Sequence, residues 1–226
     1  MARRFAQAFG RSVLLAIGLS GATAALAQDV PDAVGRVAPV DSSGNTLGDA
    51  ICTGVLVAAD LVLTAGHCLP EQGATALFAF DIAPSASGPR LRATGRAFER
   101  LAPRPLGPFK LDNDLALLRL DAPVSPETAT PIALATGDLP LFATFFGFDR
   151  TQPDAMPLGQ ICNRLGRWPE EAPRVVAFDC PVVSGNSGGP LLYKTPDGWA
   201  LVAIMAARGG GPFASFAVIP PDDPRW

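Results

Sequence analysis

Apolar residues in this chain occur in short runs that are rich in β-branched and aromatic side chains. Clusters of Gly, Pro and Asp separate the runs, and no segment keeps the 3.6-residue period of an amphipathic helix. Both features are typical of an all-β protein, in which successive strands meet at turns. The pattern predicts strands at residues 35–40, 51–57, 61–64, 75–80, 91–98, 115–120, 141–147, 158–163, 174–179, 190–193, 199–205 and 213–219.

A proline-rich stretch, residues 122–131, divides the predicted strands into two equal sets. Proline cannot donate to a β ladder, so such a stretch favours a connection over a strand. Six strands are enough for each half to close around its own core. We therefore expect two six-stranded antiparallel β-barrels, one at about residues 35–121 and one at about 132–219.

The first 27 residues have the composition of a secretory signal peptide. Three arginines lie near the start, an apolar run covers residues 13–19, and residues 25–27 offer the small-x-small pattern of a cleavage site. The uncharged stretch 12–27 has 16 residues, fewer than the roughly 20 that a membrane-spanning helix needs. We expect removal of residues 1–27, a mature domain at 28–226 and no stable membrane anchor. An arginine pair near the start leaves a twin-arginine export route open.

Charge and cysteine content narrow the range of partners and cofactors. Without the leader, which holds three arginines and no acid, the chain has a net charge of −6. There is no basic surplus to neutralise phosphates, so a nucleic acid partner is not expected. Four cysteines in an exported chain predict disulfides, and none has the C-x-x-C spacing of a metal site. We expect a secreted or periplasmic monomer that binds no metal.

His67 is the only histidine, so any chemistry that needs an imidazole has a single place to occur. It follows the apolar run 61–64, and the run 51–57 is the predicted antiparallel neighbour of that strand. A bridge between Cys52 and Cys68 would tie the first strand to the residue after the histidine. Closing a loop of this size contributes roughly 3 kcal/mol in an unstrained geometry, and it would also hold the imidazole in place.

An acid directly before a strongly apolar strand can lie at the edge of a core, shielded from water. Asp114 has this position, immediately before the run 115–120. There it can accept a hydrogen bond from an imidazole nitrogen and fix the tautomer of the ring. The alternative acid is Asp112, but Asp and Asn are ordinary turn residues at such a place. We therefore select Asp114 as the partner of the imidazole.

Ser187 lies in a turn with glycine on both sides, residues 185–190. Glycine adopts backbone conformations that other residues reach only at a cost, so the turn can expose a hydroxyl and direct backbone amides to one point. The amides of Gly185 and Ser187 could stabilise a tetrahedral oxyanion, where one lost donor costs on the order of 10²–10³ in rate. Together with a histidine and an acid elsewhere, Ser187 becomes a candidate nucleophile.

Three motifs, at residues 64–68, 114–117 and 185–190, resemble those of trypsin-like, chymotrypsin-fold serine endopeptidases in their order His, Asp, Ser. The likeness spans roughly residues 35–219 and includes the Gly-Asn-Ser-Gly-Gly-Pro motif of a bacterial secreted branch. It implies two barrels with the active site in the cleft between them. It also implies protein or peptide substrates and no cofactor.

The resemblance further implies a role for each catalytic residue. His67 takes the hydroxyl proton of Ser187, Asp114 orients the ring, and Ser187 attacks the peptide carbonyl to form an acyl-enzyme. The digestive members have an aspartate before the nucleophile, which pairs with a newly released amino terminus, whereas this chain has Asn186. A neutral amide attracts an ammonium group much less. We therefore expect activity without cleavage after Arg36.

The second half of the chain is expected to hold a further disulfide and the substrate pocket. A bridge between Cys162 and Cys180 would brace the segment that leads to the nucleophile turn. The pocket segments offer no acid for a basic substrate side chain, and their alanines leave room for an aliphatic or aromatic one. An arginine there could favour an acidic side chain instead, although an exposed arginine is an ordinary surface feature. The pocket is expected to comprise Pro181, Val182, Val183, Ser184, Ala206, Ala207 and Arg208.

Two rival interpretations belong to other functional classes. The Gly-x-Ser-x-Gly pattern around Ser187 also fits α/β-hydrolases, but in those enzymes the histidine follows the serine. Only 39 residues follow Ser187 and none is a histidine, which excludes that order. The second rival is a protease-like fold that serves only for binding. Such proteins typically lack one triad residue, whereas all three are present here.

Overall fold

Twelve β-strands form the framework of the described chain, as the alternation of apolar runs and turns predicts. The computed structural model describes residues 30–69, 76–83, 88–100, 111–157, 159–167, 172–209 and 215–222. The predicted leader, residues 1–27, lies outside them. Among the described residues, no helix has the length and apolar character needed to cross a membrane.

Six strands of the first half close into a barrel in the order β1-β2-β3-β6-β5-β4, with every pair antiparallel. Large apolar side chains such as Leu63, Phe80 and Leu117 are fully buried inside it. Burial of one such side chain contributes about 1.5–3 kcal/mol. The strands are β1 (Val34–Val40), β2 (Cys52–Ala58), β3 (Leu61–Ala65), β4 (Leu77–Ile82), β5 (Leu91–Arg100) and β6 (Leu115–Leu120).

The second half closes in the order β10-β11-β12-β9-β8-β7, also antiparallel throughout. The prediction of two six-stranded antiparallel barrels is therefore confirmed. The strands are β7 (Phe142–Phe145), β8 (Gln160–Arg167), β9 (Val175–Phe178), β10 (Pro190–Thr195), β11 (Gly198–Arg208) and β12 (Ser215–Val218).

An apolar core cluster extends across both barrels. One cluster contains first-barrel residues such as Leu56 and Val62 together with Phe146, Phe148 and Ile204 from the second half. A second cluster fills the interior of the second barrel. The continuous packing holds the barrels together along the face where β2 and β3 approach β10 and β11.

Candidate active site

His67 lies directly after β3, in a short 3₁₀ helix that spans Gly66–Cys68. All five residues of β3 are buried, so the backbone directly before the histidine is fixed in the first barrel. A disulfide joins Cys68 to Cys52, the first residue of β2. The histidine side chain is 38% exposed, which leaves it accessible to a reactant.

Asp114 lies between a 3₁₀ helix, Leu111–Asn113, and β6, and its side chain is 2% exposed. Its two carboxylate oxygens accept hydrogen bonds from the His67 backbone N–H at 2.8 Å and from His67 Nδ1 at 2.7 Å. Because a carboxylate only accepts, Nδ1 carries a proton, and in the neutral ring Nε2 has a lone pair that can take one. Gly66 permits this close approach, since a Cβ there would lie 3.0 Å from Asp114 Oδ1.

Asp112, the alternative acid, has a different partner. Its Oδ1 accepts a hydrogen bond from the Arg174 backbone N–H at 2.6 Å. Arg174 belongs to the second half of the chain, directly before β9. Asp112 therefore links the two barrels, while Asp114 holds the histidine.

Ser187 lies in a turn that packs closely against the first barrel. Gly185 and Gly188 have φ angles of 101° and 82°, in the left-handed region that favours glycine. A Cβ on Gly188 would collide with the Thr53 carbonyl oxygen and the Thr64 hydroxyl. The glycines thus bring the turn into contact with β2 and β3. A second disulfide, from Cys162 to Cys180, precedes the turn.

Thr53, on β2, holds the turn through both its backbone and its side chain. Its N–H donates to Ser187 O at 2.8 Å, and its hydroxyl donates to Gly185 O at 2.9 Å. The same hydroxyl accepts a hydrogen bond from the Phe148 N–H at 2.9 Å. Thr64 Oγ1 donates to Thr53 O at 2.7 Å, and both threonines are fully buried. The sequence carries no signal for this network, because threonine is an ordinary strand residue.

Asn186, directly before Ser187, is fully provided with partners from its own chain. Its side chain is buried, its Nδ2 donates to Phe148 O at 2.8 Å, and its Oδ1 accepts from the Val183 N–H at 2.8 Å. A buried amide with both ends satisfied needs no further partner. The turn is therefore held in place without an ammonium group.

Two cavities flank Ser187. One, of about 480 Å³, contains His67, Ser187 and Gly185 and has apolar walls that include Ile51 and Phe78. The other, of about 310 Å³, lies between the segment that precedes Ser187 and the end of β11. Pro181 is not among its lining residues, whereas Asn186, Ser187 and Met205 are additions to the expected set. Its lining consists of Val182, Val183, Ser184, Asn186, Ser187, Met205, Ala206, Ala207 and Arg208.

Potential metal ligands also meet beside the histidine. The ligand atoms of Cys52, His67 and Cys68 all lie within 4.8 Å of one another. Both sulfur atoms are used in the disulfide, so neither can act as a thiolate ligand. This cluster therefore does not form a metal site while the disulfide is intact.

Comparison with known sequences agrees with this geometry. Residues 52–204, more than half of the chain, match the sequence model of a family described as "Trypsin-like peptidase domain". The chain belongs to the trypsin-like peptidases. The matched range includes His67, Asp114 and Ser187, so all three triad candidates of this trypsin-like peptidase lie inside the family domain.

Two curated relatives of this trypsin-like peptidase are serine proteases. It is 40% identical over 89 residues to serine protease 56 of Mus musculus, which is 38% of this chain and 14% of the relative. It is 28% identical over 186 residues to serine protease filzig of Drosophila melanogaster, which is 70% of this chain and 11% of the relative. The chain therefore spans only a small part of the length of these relatives.

Solved structures support the same fold. A thermostable serine protease, AL20, from an extremophilic microorganism matches with a TM-score of 0.61 and 20% identity, covering 83% of this chain and 91% of that one. The protease Anisep from Arthrobacter nicotinovorans gives a TM-score of 0.61 at 17% identity, covering 84% and 90%. HL collagenase gives 0.63 at 15% identity, covering 83% and 88%. At these identities the likeness concerns the fold alone.

Proposed function

We propose that this trypsin-like peptidase is an active serine endopeptidase with His67, Asp114 and Ser187 as its catalytic triad. The observation that carries the proposal is the pair of hydrogen bonds between Asp114 and His67, at a cavity that also contains Ser187. An unassisted serine hydroxyl is almost never ionised at neutral pH, so it needs an adjacent base. Nε2 of His67 is the base, because Asp114 keeps the proton of the neutral ring on Nδ1.

The reaction proceeds in two halves. Ser187 Oγ attacks the carbonyl carbon of the peptide bond while its proton passes to His67, and Asp114 stabilises the imidazolium that forms. His67 then gives the proton to the leaving amine, so the C–N bond breaks and an acyl-enzyme remains. Water, deprotonated by His67, attacks the ester carbon; the bond from that carbon to Ser187 Oγ then breaks, Oγ takes the proton back from His67, and the acid product leaves. This sequence of steps uses no cofactor.

The backbone amides of Gly185 and Ser187 form the oxyanion site in this proposal. Support comes from the peptide group between Ser184 and Gly185, whose carbonyl oxygen accepts a hydrogen bond from the Arg150 N–H at 2.9 Å. In a trans peptide the N–H points opposite to the carbonyl, so this bond fixes the direction of the Gly185 N–H. Amides that are already oriented stabilise a developing oxyanion without reorganisation.

The two cavities indicate which end of a bound substrate lies on which side of Ser187. The leaving amine has to receive a proton from His67, so the segment after the scissile bond occupies the 480 Å³ cavity that contains this residue. The side chain before the scissile bond then occupies the 310 Å³ pocket. Ala206 and Ala207 leave space there for an aliphatic or aromatic side chain, and Arg208 lies at the exposed end of β11.

We also propose that the protein is exported, to the periplasm or the exterior, and that it acts there as a monomer. The leader-like composition of residues 1–27 and the two disulfides support export, because disulfides persist in oxidising compartments. The motif Gly-Asn-Ser-Gly supports a place in the bacterial secreted branch. The expected partners are protein and peptide substrates rather than nucleic acid or a membrane.

Replacement of the nucleophile tests the proposal. Ser187→Ala is expected to lower kcat for casein or a peptide by roughly 10⁴–10⁶-fold, with no change in the melting temperature. The wild-type protein should be modified on Ser187 by a sulfonyl fluoride, and the variant should not. Full hydrolysis by the variant would exclude the mechanism, and a wild-type protein that takes no label would favour a binding-only fold.

Cleavage of a peptide library tests both the proposed direction of the bound substrate and the proposed side-chain pocket. We expect cleavage after aliphatic or aromatic residues, because the pocket walls hold alanine and valine side chains. A dominant preference for Lys or Arg would contradict the proposed pocket, since no acidic residue is among its lining side chains in the described chain.

A further inference from the structure

Three charged side chains lie opposite one another on neighbouring strands of the first barrel. Arg36 of β1 pairs in register with Asp81 of β4, which in turn pairs with Arg92 of β5. The fully buried carboxylate of Asp81 accepts hydrogen bonds from Arg36 Nη2 at 2.7 Å and from Arg92 Nε and Nη2 at 2.7 and 2.8 Å. These contacts raise the pKa of Arg92 above its ordinary value. One buried carboxylate thus holds two guanidinium groups.

The Nη1 atoms of the two arginines have partners in different halves of the chain. Arg92 Nη1 donates to Gly44 O at 2.8 Å, within the first half of the chain. Arg36 Nη1 instead reaches the second half, where it donates to Pro153 O at 2.8 Å and to Asp154 Oδ1 at 3.2 Å. Only 9% of the Arg36 side chain is exposed, whereas 52% of the Asp154 side chain is, so both bonds are partly buried. Arg36 is therefore a buried link between the barrels, whereas Arg92 is not.

The two partners of Arg36 in the second half of the chain belong to a segment of consecutive turns, residues 149–155. The Gln152 N–H donates to Asp149 O at 3.0 Å, and Asp149 Oδ1 accepts from both the N–H and the hydroxyl of Thr151 at 2.8 Å. The hydrogen bonds from Thr151 hold the pKa of Asp149 below its ordinary value. Because these hydrogen bonds join residues within the segment, a restraint on Pro153 also restrains the first residues of the segment.

The start of this segment, together with Phe148 directly before it, touches the turn that contains Ser187. The Arg150 N–H donates to Ser184 O at 2.9 Å, and Phe148 O accepts from Asn186 Nδ2 at 2.8 Å. Gly185 lies against the start of the segment and the residue before it, since a Cβ there would be 2.7 Å from Arg150 N and 2.6 Å from Phe148 O. The segment 149–155 is thus in direct contact with the peptide group whose N–H is the proposed oxyanion donor.

We propose that Arg36 is a positioning residue for the oxyanion site. Its guanidinium, fixed by Asp81, holds the segment 149–155 in place, and the Arg150 N–H then holds the Gly185 amide in its active direction. The inference rests on the proposed endopeptidase function. It adds a set of contacts that orients the oxyanion donor without cleavage of the chain after Arg36. Arg36 touches no substrate, so its loss should affect the tetrahedral state more than substrate binding.

The test compares two matched variants that each remove one guanidinium from the same carboxylate. Arg36→Met should lower kcat about 10–100-fold with KM changed less than about twofold, because a misdirected oxyanion donor costs part of the 10²–10³ that its outright loss costs. Affinity for a peptide aldehyde, which forms a tetrahedral adduct with the serine, should fall by the same factor. Arg92→Met should lower the melting temperature similarly but leave kcat and aldehyde affinity within about twofold of wild type.

Two further variants keep the inference testable if Arg36→Met does not fold. Arg36→Lys should recover part of the lost kcat, because an ammonium group can still donate to Pro153 O or Asp81. Asp149→Ala removes the bonds to Thr151 without touching the buried charges, and it should lower kcat and aldehyde affinity together. Equal losses of kcat in the Arg36 and Arg92 variants, or unchanged kcat in folded Arg36→Met and Asp149→Ala, would overturn it. Failure of the proposed function would differ, because Ser187 of the wild type would then not react with a sulfonyl fluoride.

Discussion

Thr53 connects the first barrel to the catalytic turn through one buried hydroxyl. This group donates to Gly185 O and accepts from the Phe148 N–H, so it serves a donor and an acceptor that have no access to water. Leaving such a buried group without a partner costs about 1–3 kcal/mol. The position of Ser187 therefore depends on a residue of the opposite barrel that takes no part in the chemistry.

Replacement of the hydroxyl by a methyl group tests this dependence. Thr53→Val keeps the shape but leaves Gly185 O and the Phe148 N–H unpaired, so the free energy of unfolding should fall by about 1–3 kcal/mol. Since the turn then loses an anchor, kcat/KM should fall by about tenfold to a hundredfold. Denaturant unfolding and peptide hydrolysis measure the two effects. Thr53→Ser is the control because it retains the hydroxyl, and equal kcat/KM values for the two variants would contradict the expectation.

Residue patterns in the sequence identify the candidate catalytic residues better than the residues that hold them in position. His67, Asp114 and Ser187 stand out because their neighbours are unusual, with a lone histidine, an acid before an apolar strand and a serine between glycines. Thr53 has no such signal, since threonine is common in strands. Arg36 and Asp81 do carry one: each is a charge inside an apolar run, and burial of either requires a partner. Which partner each takes follows only from the strand register.

At the scale of single strands, the apolar runs predict every strand but not every boundary. β8 extends past its predicted end at residue 163 to Arg167, because its later residues pair with β9 although none of residues 163–167 is buried. β11 continues past 205 to Arg208 because it remains paired with β12 across a bulge. Hydropathy detects burial, whereas a strand ends where its hydrogen-bonded ladder ends.

The position of the bond between Arg36 and Val37 leads to a prediction about activation. Both residues are buried in β1, which pairs with β2 on one side and β4 on the other, so a protease cannot reach the bond in the folded protein. Protein that begins at Gln28 should therefore be fully active, and limited trypsin digestion should leave this bond intact while activity persists. Amino-terminal sequencing and peptide assays measure this. Protein that stays inactive until it begins at Val37 would contradict the expectation.

At the scale of the whole molecule, the barrels depend on each other. A count of strands and one proline-rich connector predict two barrels, but not the contacts between them. Those contacts join residues far apart in sequence, such as Arg36 with Pro153 and Asp112 with Arg174. The apolar cluster that the two barrels share likewise joins residues that are far apart in the sequence. No local pattern encodes such pairs, because they depend on how two finished barrels pack.

This mutual dependence predicts a single cooperative unfolding transition. Separation of the barrels would expose Phe146, Phe148 and Ile204 together with the buried hydroxyl of Thr53, so neither barrel should persist alone. In calorimetry of the Ser187→Ala protein, which avoids self-digestion, the calorimetric and van't Hoff enthalpies should agree. Two resolved transitions would show that the barrels unfold independently.

Closure of both barrels gives each of the twelve strands two hydrogen-bonded neighbours. Unpaired strand edges are where chains recruit one another into aggregates, and closure removes nearly all of them. The ladder of β10 with β11 ends at Pro190 opposite Ile204, yet β11 runs on to Arg208. In the described part of the chain, no strand pairs with the backbone of residues 206–208 on the side of the pocket beside Ser187. An extended chain that paired with this backbone would lie beside the proposed nucleophile, where it would be cut rather than add a strand to an aggregate.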